Sequence, residues 1–175
     1  GVVILVHKRL NATLISQDKD TDGRWILINL LIDQIPISIL NVYGPTKVDN
    51  LFWHQFTKVL LTNMGANFLL GGDCNQVLDP FLDRNSSVRF AVTKMHKSFC
   101  SAIEQASLTD VWRHCNPALR EYTFYSPMHK SQSRLDYIFT SRNLTQNLLK
   151  SEIGSILISD HAPVLSDFDL LPFSS

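Results

Sequence analysis

The chain has 175 residues, 45% of them hydrophobic, and its 16 Lys and Arg balance 16 Asp and Glu to a net charge of zero. That is enough apolar material for one core with little room for two, and it excludes a disordered acidic tail or a histone-like basic domain. No run approaches the roughly 18 apolar residues of a membrane-spanning helix, and three cysteines without CxxC spacing suggest neither a disulfide framework nor a zinc ribbon.

Gly1 to Val6 reads as a β-run already at the first residue, so partner strands upstream are expected, and the chain is read as a single domain over residues 1–175 that is incomplete at its N-terminus. Asp18 to Gly23 is turn-rich, and Trp25 to Leu31 and Ile35 to Tyr43 read as a hairpin about Asp33-Gln34. From Val48 to Leu61, apolar residues at helical spacing follow Asp49 and Asn50, either of which is placed to cap a helix. Asn67 to Leu70 is a short buried-type strand running into Gly71-Gly72-Asp73-Cys74-Asn75, where the glycines let the backbone turn. Thr93 to Ala106 is amphipathic, with Met95, Phe99, Ile103 and Ala106 on one stripe. Tyr122 to Tyr125 and Arg134 to Thr140 read as strands joined by a polar loop, and Pro163 to Leu170 as the last strand. Strands outnumber helices without strict alternation, which favours packed sheets with helices outside.

Charge is uneven. From Arg84 to Arg134 there are eight Lys and Arg against Glu104, Asp110 and Glu121, a local excess of +5 that suits a polyanion if the cations share a face, and means nothing if neighbours in space cancel it. Polar or ionisable residues also stand where apolar strands end: Tyr43, Asp73 with Asn75, Asp136, and Ser159-Asp160-His161. Separately they have plain readings, Tyr43 as an edge aromatic and Asp73 and Asn75 as Asx-turn formers. Asp136 is harder to dismiss, because a carboxylate inside Leu135-Asp136-Tyr137-Ile138-Phe139 needs a partner, for which His161 would serve. Two or more carboxylates, an amide and a phenol are what phosphodiester cleavage requires to neutralise phosphate and orient water, and hard oxygen donors suit Mg²⁺ better than zinc.

These motifs, in the order Asn41-Val42-Tyr43-Gly44-Pro45, Gly72-Asp73-Cys74-Asn75, Thr109-Asp110-Val111-Trp112-Arg113, Tyr122-Thr123-Phe124, Arg134-Leu135-Asp136-Tyr137-Ile138 and Ser159-Asp160-His161, resemble the Mg²⁺-dependent endonuclease/exonuclease/phosphatase superfamily of DNase I and exonuclease III. The nearest likeness is to the endonuclease domain of non-LTR retrotransposons. The resemblance implies an α/β fold, a four-layered α/β sandwich of two packed mixed sheets flanked by helices. It implies Mg²⁺, with Mn²⁺ as a substitute, held by Asp160. Asp73 would orient or deprotonate water, Asn75 and Tyr43 would hold the phosphate, His161 oriented by Asp136 would bind phosphate charge, and Thr123 and Ser159 would support them.

By the same resemblance the substrate is double-stranded DNA, nicked to leave a 3′-hydroxyl that primes a reverse transcriptase domain of the same polyprotein. The place of action is the nucleus, and the domain is monomeric. The hairpin between Thr123 and Asp136 would enter the minor groove, with His129, Lys130 and Arg134 favouring its negative potential. One departure stands out: such enzymes carry an Asn and a metal-binding Glu before the strand that Gly1 opens, whereas the first Glu here is Glu104. Weak Mg²⁺ binding and weak or no activity are therefore expected of this chain. A phosphomonoesterase of the same superfamily and a non-catalytic retrotransposon remnant are the competing readings.

Overall fold

The computed structural model describes residues 1–49 and 51–170. Its frame is a six-stranded sheet in the order β1-β2-β3-β4-β9-β6. The strands are β1 (Ala12–Lys19), β2 (Trp25–Ile32), β3 (Ile35–Tyr43), β4 (Phe68–Asp73), β6 (Thr109–Asp110) and β9 (Asp136–Thr140). The β2–β3 hairpin forms as expected, and Asp33 and Gln34 both take positive φ, the conformation a two-residue turn needs to match strand twist. Val42 and Leu40 on β3 and Leu70 on β4 are sealed from solvent, which is why their runs read as buried strands.

Two helices cover one face of this sheet. In α1 (Phe52–Asn63), Phe52, Trp53, Phe56 and Leu60 face inward, and Asp49 Oδ1 accepts from the amides of Leu51 and Phe52, satisfying two otherwise orphaned donors. Asn50, the alternative cap, lies outside the described residues. In α2 (Lys94–Gln105) the Thr93 hydroxyl caps the His96 amide, and Met95, Phe99 and Ile103 are buried as the stripe anticipates. Trp53 and Phe99 meet at 4.8 Å between ring centroids, joining the two helices over the sheet. A second apolar cluster, built on Ile28, Leu30, Ile35 and Ile37, includes the half-buried Ile4.

Smaller sheets complete the fold. One is three-stranded, β5 (Arg84–Asn85), β8 (Ser131–Ser133) and β7 (Phe124–Ser126), in the order β5-β8-β7. The other pairs β10 (Leu148–Ile153) with β11 (Val164–Phe168). Short helix α3 (Val111–Cys115) follows β6, and α4 (Arg142–Gln146) follows β9 and precedes β10. Several sheets packed with helices give the mixed α/β sandwich class expected from the strand-rich pattern.

One expectation is corrected. Residues 1–6 form no ladder: Val3 and Leu5 are 65% and 87% exposed, and the Val3 carbonyl accepts from the Asn41 side chain. The strand of this region is instead β1, which is exposed along almost its whole length and so carries no inside-outside alternation to read. Its backbone pairing to β2 alone defines it.

Candidate active site

Strand register assembles the site. Tyr43 on β3 pairs in parallel with Asp73 on β4, and Asp73 pairs antiparallel with Asp136 on β9, so three residues from distant sequence stand in one row at the end of three adjacent strands. Gly72 makes this approach possible. Its φ is +135°, a conformation closed to L side chains, and a Cβ there would run into the Val42 carbonyl.

Past the strand end, Asn75 sits at φ +50°, donates its amide N–H to Asp73 Oδ1 at 2.8 Å, and directs its Nδ2 to Asp73 Oδ2 and to the Gly44 carbonyl. Asn75 therefore ties the β3 and β4 ends together, and the Asx-turn reading of this pair holds. Tyr43 is 43% exposed and lines a cleft of about 580 Å³ with Arg24, Thr46 and Lys47.

His161 arrives from the far side. Its Nδ1 lies 2.8 Å from Asp136 Oδ2, the partnership the lone carboxylate of β9 demanded. Thr123, fully buried, holds both halves of that pair. Its Oγ1 accepts from the amides of Leu135 and Asp136, and its carbonyl accepts from Ala162 N at 2.7 Å. Phe124 bridges to His161 in the backbone, with its ring 4.9 Å from the imidazole. Ser159 supports the turn by accepting from the His161 amide at 3.0 Å.

The electrostatics follow from this crowding. Burial raises Asp73 from its ordinary 3.8 to about 6; the Asn75 amide opposes the rise, the charge of Asp136 adds to it, and His161 opposes it. Burial pulls His161 down, but its hydrogen bond to Asp136 and the negative charges of Asp136, Asp73 and Asp160 outweigh that, so its pKa is raised. Asp73, Asp136 and His161 offer ligand atoms within 4.8 Å of one another. Two carboxylates whose mutual repulsion holds one of them up is a donor set that a divalent cation would relieve, and the oxygens suit Mg²⁺. Asp160 stays outside this group, exposed, with its Oδ1 accepting from the Ser159 hydroxyl at 3.3 Å.

His129 and Lys130 stand exposed at the tip of the β7–β8 hairpin. Arg134 does not join them. It is 1% exposed, and its guanidinium pairs with Asp110 at 2.6 Å and Asp83 at 2.9 Å beside the rings of Tyr137 and Trp112. A side chain so enclosed cannot reach DNA, and the expectation that it would is corrected: a cation two residues before a half-buried strand carboxylate is here a buried one. Arg113 also pairs with Asp83, so part of the local +5 is cancelled by an acid lying just before the counted segment. The sequence reading did not single out Asp83, whose partners Arg113 and Arg134 are 30 and 51 residues away.

Comparison with known proteins bears on the fold and the family. The chain is 29% identical over 181 aligned positions to the Transposon TX1 uncharacterized 149 kDa protein of Xenopus laevis, covering 98% of this chain and 13% of that protein's length. Among solved structures it is similar to an AP endonuclease from Archaeoglobus fulgidus, with TM-score 0.71, 18% identity, and coverage of 90% of this chain and 72% of that one. It is also similar to the 3′ phosphatase NExo from Neisseria bound to a product DNA hairpin, with TM-score 0.70, 18% identity and the same coverages. The model of the Endonuclease/Exonuclease/phosphatase family matches residues 1–161, a span that contains every strand end of the Tyr43, Asp73, Asp136 and His161 site, and the chain belongs to that family.

Proposed function

We propose that this chain is a Mg²⁺-dependent DNA endonuclease module of a retrotransposon polyprotein, nicking one strand of chromosomal DNA in the nucleus to leave a 3′-hydroxyl for target-primed reverse transcription. The observation that carries the chemistry is the Asp73, Asp136 and His161 cluster with its 2.8 Å ion pair. The transposon relative supports the context, and the chain spans 13% of that protein's length.

The residues divide the work. Asp73 orients the attacking water, and its rise to about 6 belongs to the metal-free site. Asp136 fixes the orientation of the His161 ring and favours its charged form, which meets the anionic phosphate. Tyr43, exposed at the end of the row, donates its hydroxyl to a phosphate oxygen. Asn75, with its side-chain N–H groups engaged by Asp73 and Gly44, keeps that row in register. Asp73 and Asp136 would hold Mg²⁺, which when bound supplies Lewis-acid stabilisation of the phosphate and the leaving oxygen. Two carboxylates with no glutamate among them make a weak site, so slow turnover that needs millimolar metal is expected. Lys130 places positive charge on the hairpin that meets the groove, with His129 beside it as a hydrogen-bonding group, and the module works as a monomer.

A second reading, removal of a terminal phosphate, is favoured by the similarity to a 3′ phosphatase bound to product DNA. The discriminating experiment offers supercoiled plasmid and a 3′-phosphorylated oligonucleotide hairpin side by side. Conversion of the plasmid to open circle with Mg²⁺ supports the endonuclease, and release of inorganic phosphate without nicking replaces it with the phosphatase.

A further inference from the structure

One aromatic side chain is displayed where folding gives no reason for it. Phe81 is 74% exposed, yet the turn that carries it is tied by four hydrogen bonds. Asp79 Oδ1 accepts from the amides of Phe81 and Leu82, the Asp79 amide donates to Asp83 Oδ2, and the Asp83 amide donates back to Asp79 O. Asp83 is itself locked in place by Arg113 and Arg134. A ring on a rigid turn loses little freedom when something stacks on it, which is the condition for a strong contact.

The surroundings indicate the kind of partner. The Arg120 guanidinium lies 5.4 Å from the Phe81 ring centroid, and its Nη2 donates to the Arg84 carbonyl at 3.0 Å. An aromatic face beside cations repeats the two chemistries of a nucleotide, a π-surface and a phosphate. Register then links this place to the cleavage centre. Arg84 pairs with Ser133, Ser133 with Phe124, and Phe124 bridges to His161, so one row of four residues runs from the base of the Phe81 turn to the phosphate-facing imidazole. Three strand spacings of about 4.8 Å make about 14 Å. At about 3.4 Å per step, that spans roughly four steps of a DNA strand.

We infer that Phe81, with Arg120, is a stacking platform for a base of the DNA strand roughly four nucleotides from the scissile phosphate. This rests on the reading of the chain as a DNA endonuclease. The site acts on binding and on where the strand lies, and makes no contact with the reacting atoms.

The test measures duplex binding by fluorescence anisotropy in EDTA, so that cleavage plays no part, for the unmodified chain and for Phe81→Ala, Phe81→Leu and Phe81→Trp. Equal melting temperatures confirm that each variant folds. Loss of one stacked base weakens binding by about fivefold or more. The expected pattern is that loss in the Ala and Leu variants, with affinity restored by Trp. A duplex with one nick and 2-aminopurine placed at successive positions should brighten about four nucleotides from the nick, as the base leaves its stacked neighbours for the Phe81 ring, and should not do so with Phe81→Ala. If the unmodified chain binds and Phe81→Ala or Phe81→Leu binds equally well, the platform is refuted while the endonuclease reading stands. If the unmodified chain binds no duplex, both fall together.

Discussion

Asp73→Asn should make this protein more stable and less active, and the size of the gain can be worked out. Burial and the charge of Asp136 raise Asp73 from 3.8 to about 6, which at full strength corresponds to about 3 kcal/mol. Part of the carboxyl is open to solvent, so screening reduces this to about 1–2 kcal/mol. Asparagine keeps an oxygen for the Asn75 amide and loses the 3.2 Å contact from Asn75 Nδ2, a cost of about 0.5 kcal/mol. The net gain near 1 kcal/mol raises Tm by about 2–4 °C for a chain of this size.

The pH dependence has a definite sign. A carboxyl whose pKa is raised on folding binds its proton more tightly in the folded state, so its contribution favours folding at low pH and is lost as pH climbs from about 4 through about 6. The variant should therefore melt higher than the parent at pH 7.5 in EDTA and no higher at pH 4, by differential scanning fluorimetry. Added Mg²⁺ should raise the parent more than the variant. A variant that melts lower at pH 7.5, or a difference that does not change with pH, would refute the reasoning.

Other outcomes follow from the same contacts. Asp136→Asn removes the partner that outweighs the burial of His161, so the histidine pKa should fall by NMR titration and nicking should drop by about 100-fold or more. Because the raised His161 pKa stabilises the fold below its unfolded value and that contribution fades as pH rises through the folded one, the same variant should flatten the stability profile above about pH 6. Arg134→Met leaves the buried Asp110 and Asp83 short of their counter-charge and should cost about 3–5 kcal/mol in denaturant unfolding. Gly72→Ala forces a Cβ against the Val42 carbonyl at φ +135° and should cost about 3 kcal/mol or more, read as a fall in Tm.

How much of this was legible in the sequence depended on range. Helices α1 and α2 and the β2–β3 hairpin were readable because each carries its own periodicity and cap within a short window. The strand ends at Tyr43, Asp73 and Asp136 were readable because a polar residue closing an apolar run is a local anomaly. Their row was not, since it depends on β9 pairing beside β4 across more than sixty residues. Edge strand β1 was invisible because its side chains meet water on both faces. Arg134 misled for the opposite reason: a cation in a polar-flanked motif looks exposed until Asp83 and Asp110 are brought to it by the fold. Asp160 shows the same limit, as adjacency to His161 in the chain did not place its carboxylate with Asp73 and Asp136.

The measurement that tests the central claim most directly is nicking of supercoiled plasmid in millimolar Mg²⁺, with the unmodified chain, Asp136→Asn and His161→Gln run together and an EDTA control. The account predicts slow, Mg²⁺-dependent conversion to open circle by the unmodified chain and its loss in both variants. Nicking that survives in the variants, or none by the unmodified chain at any metal concentration, would contradict it.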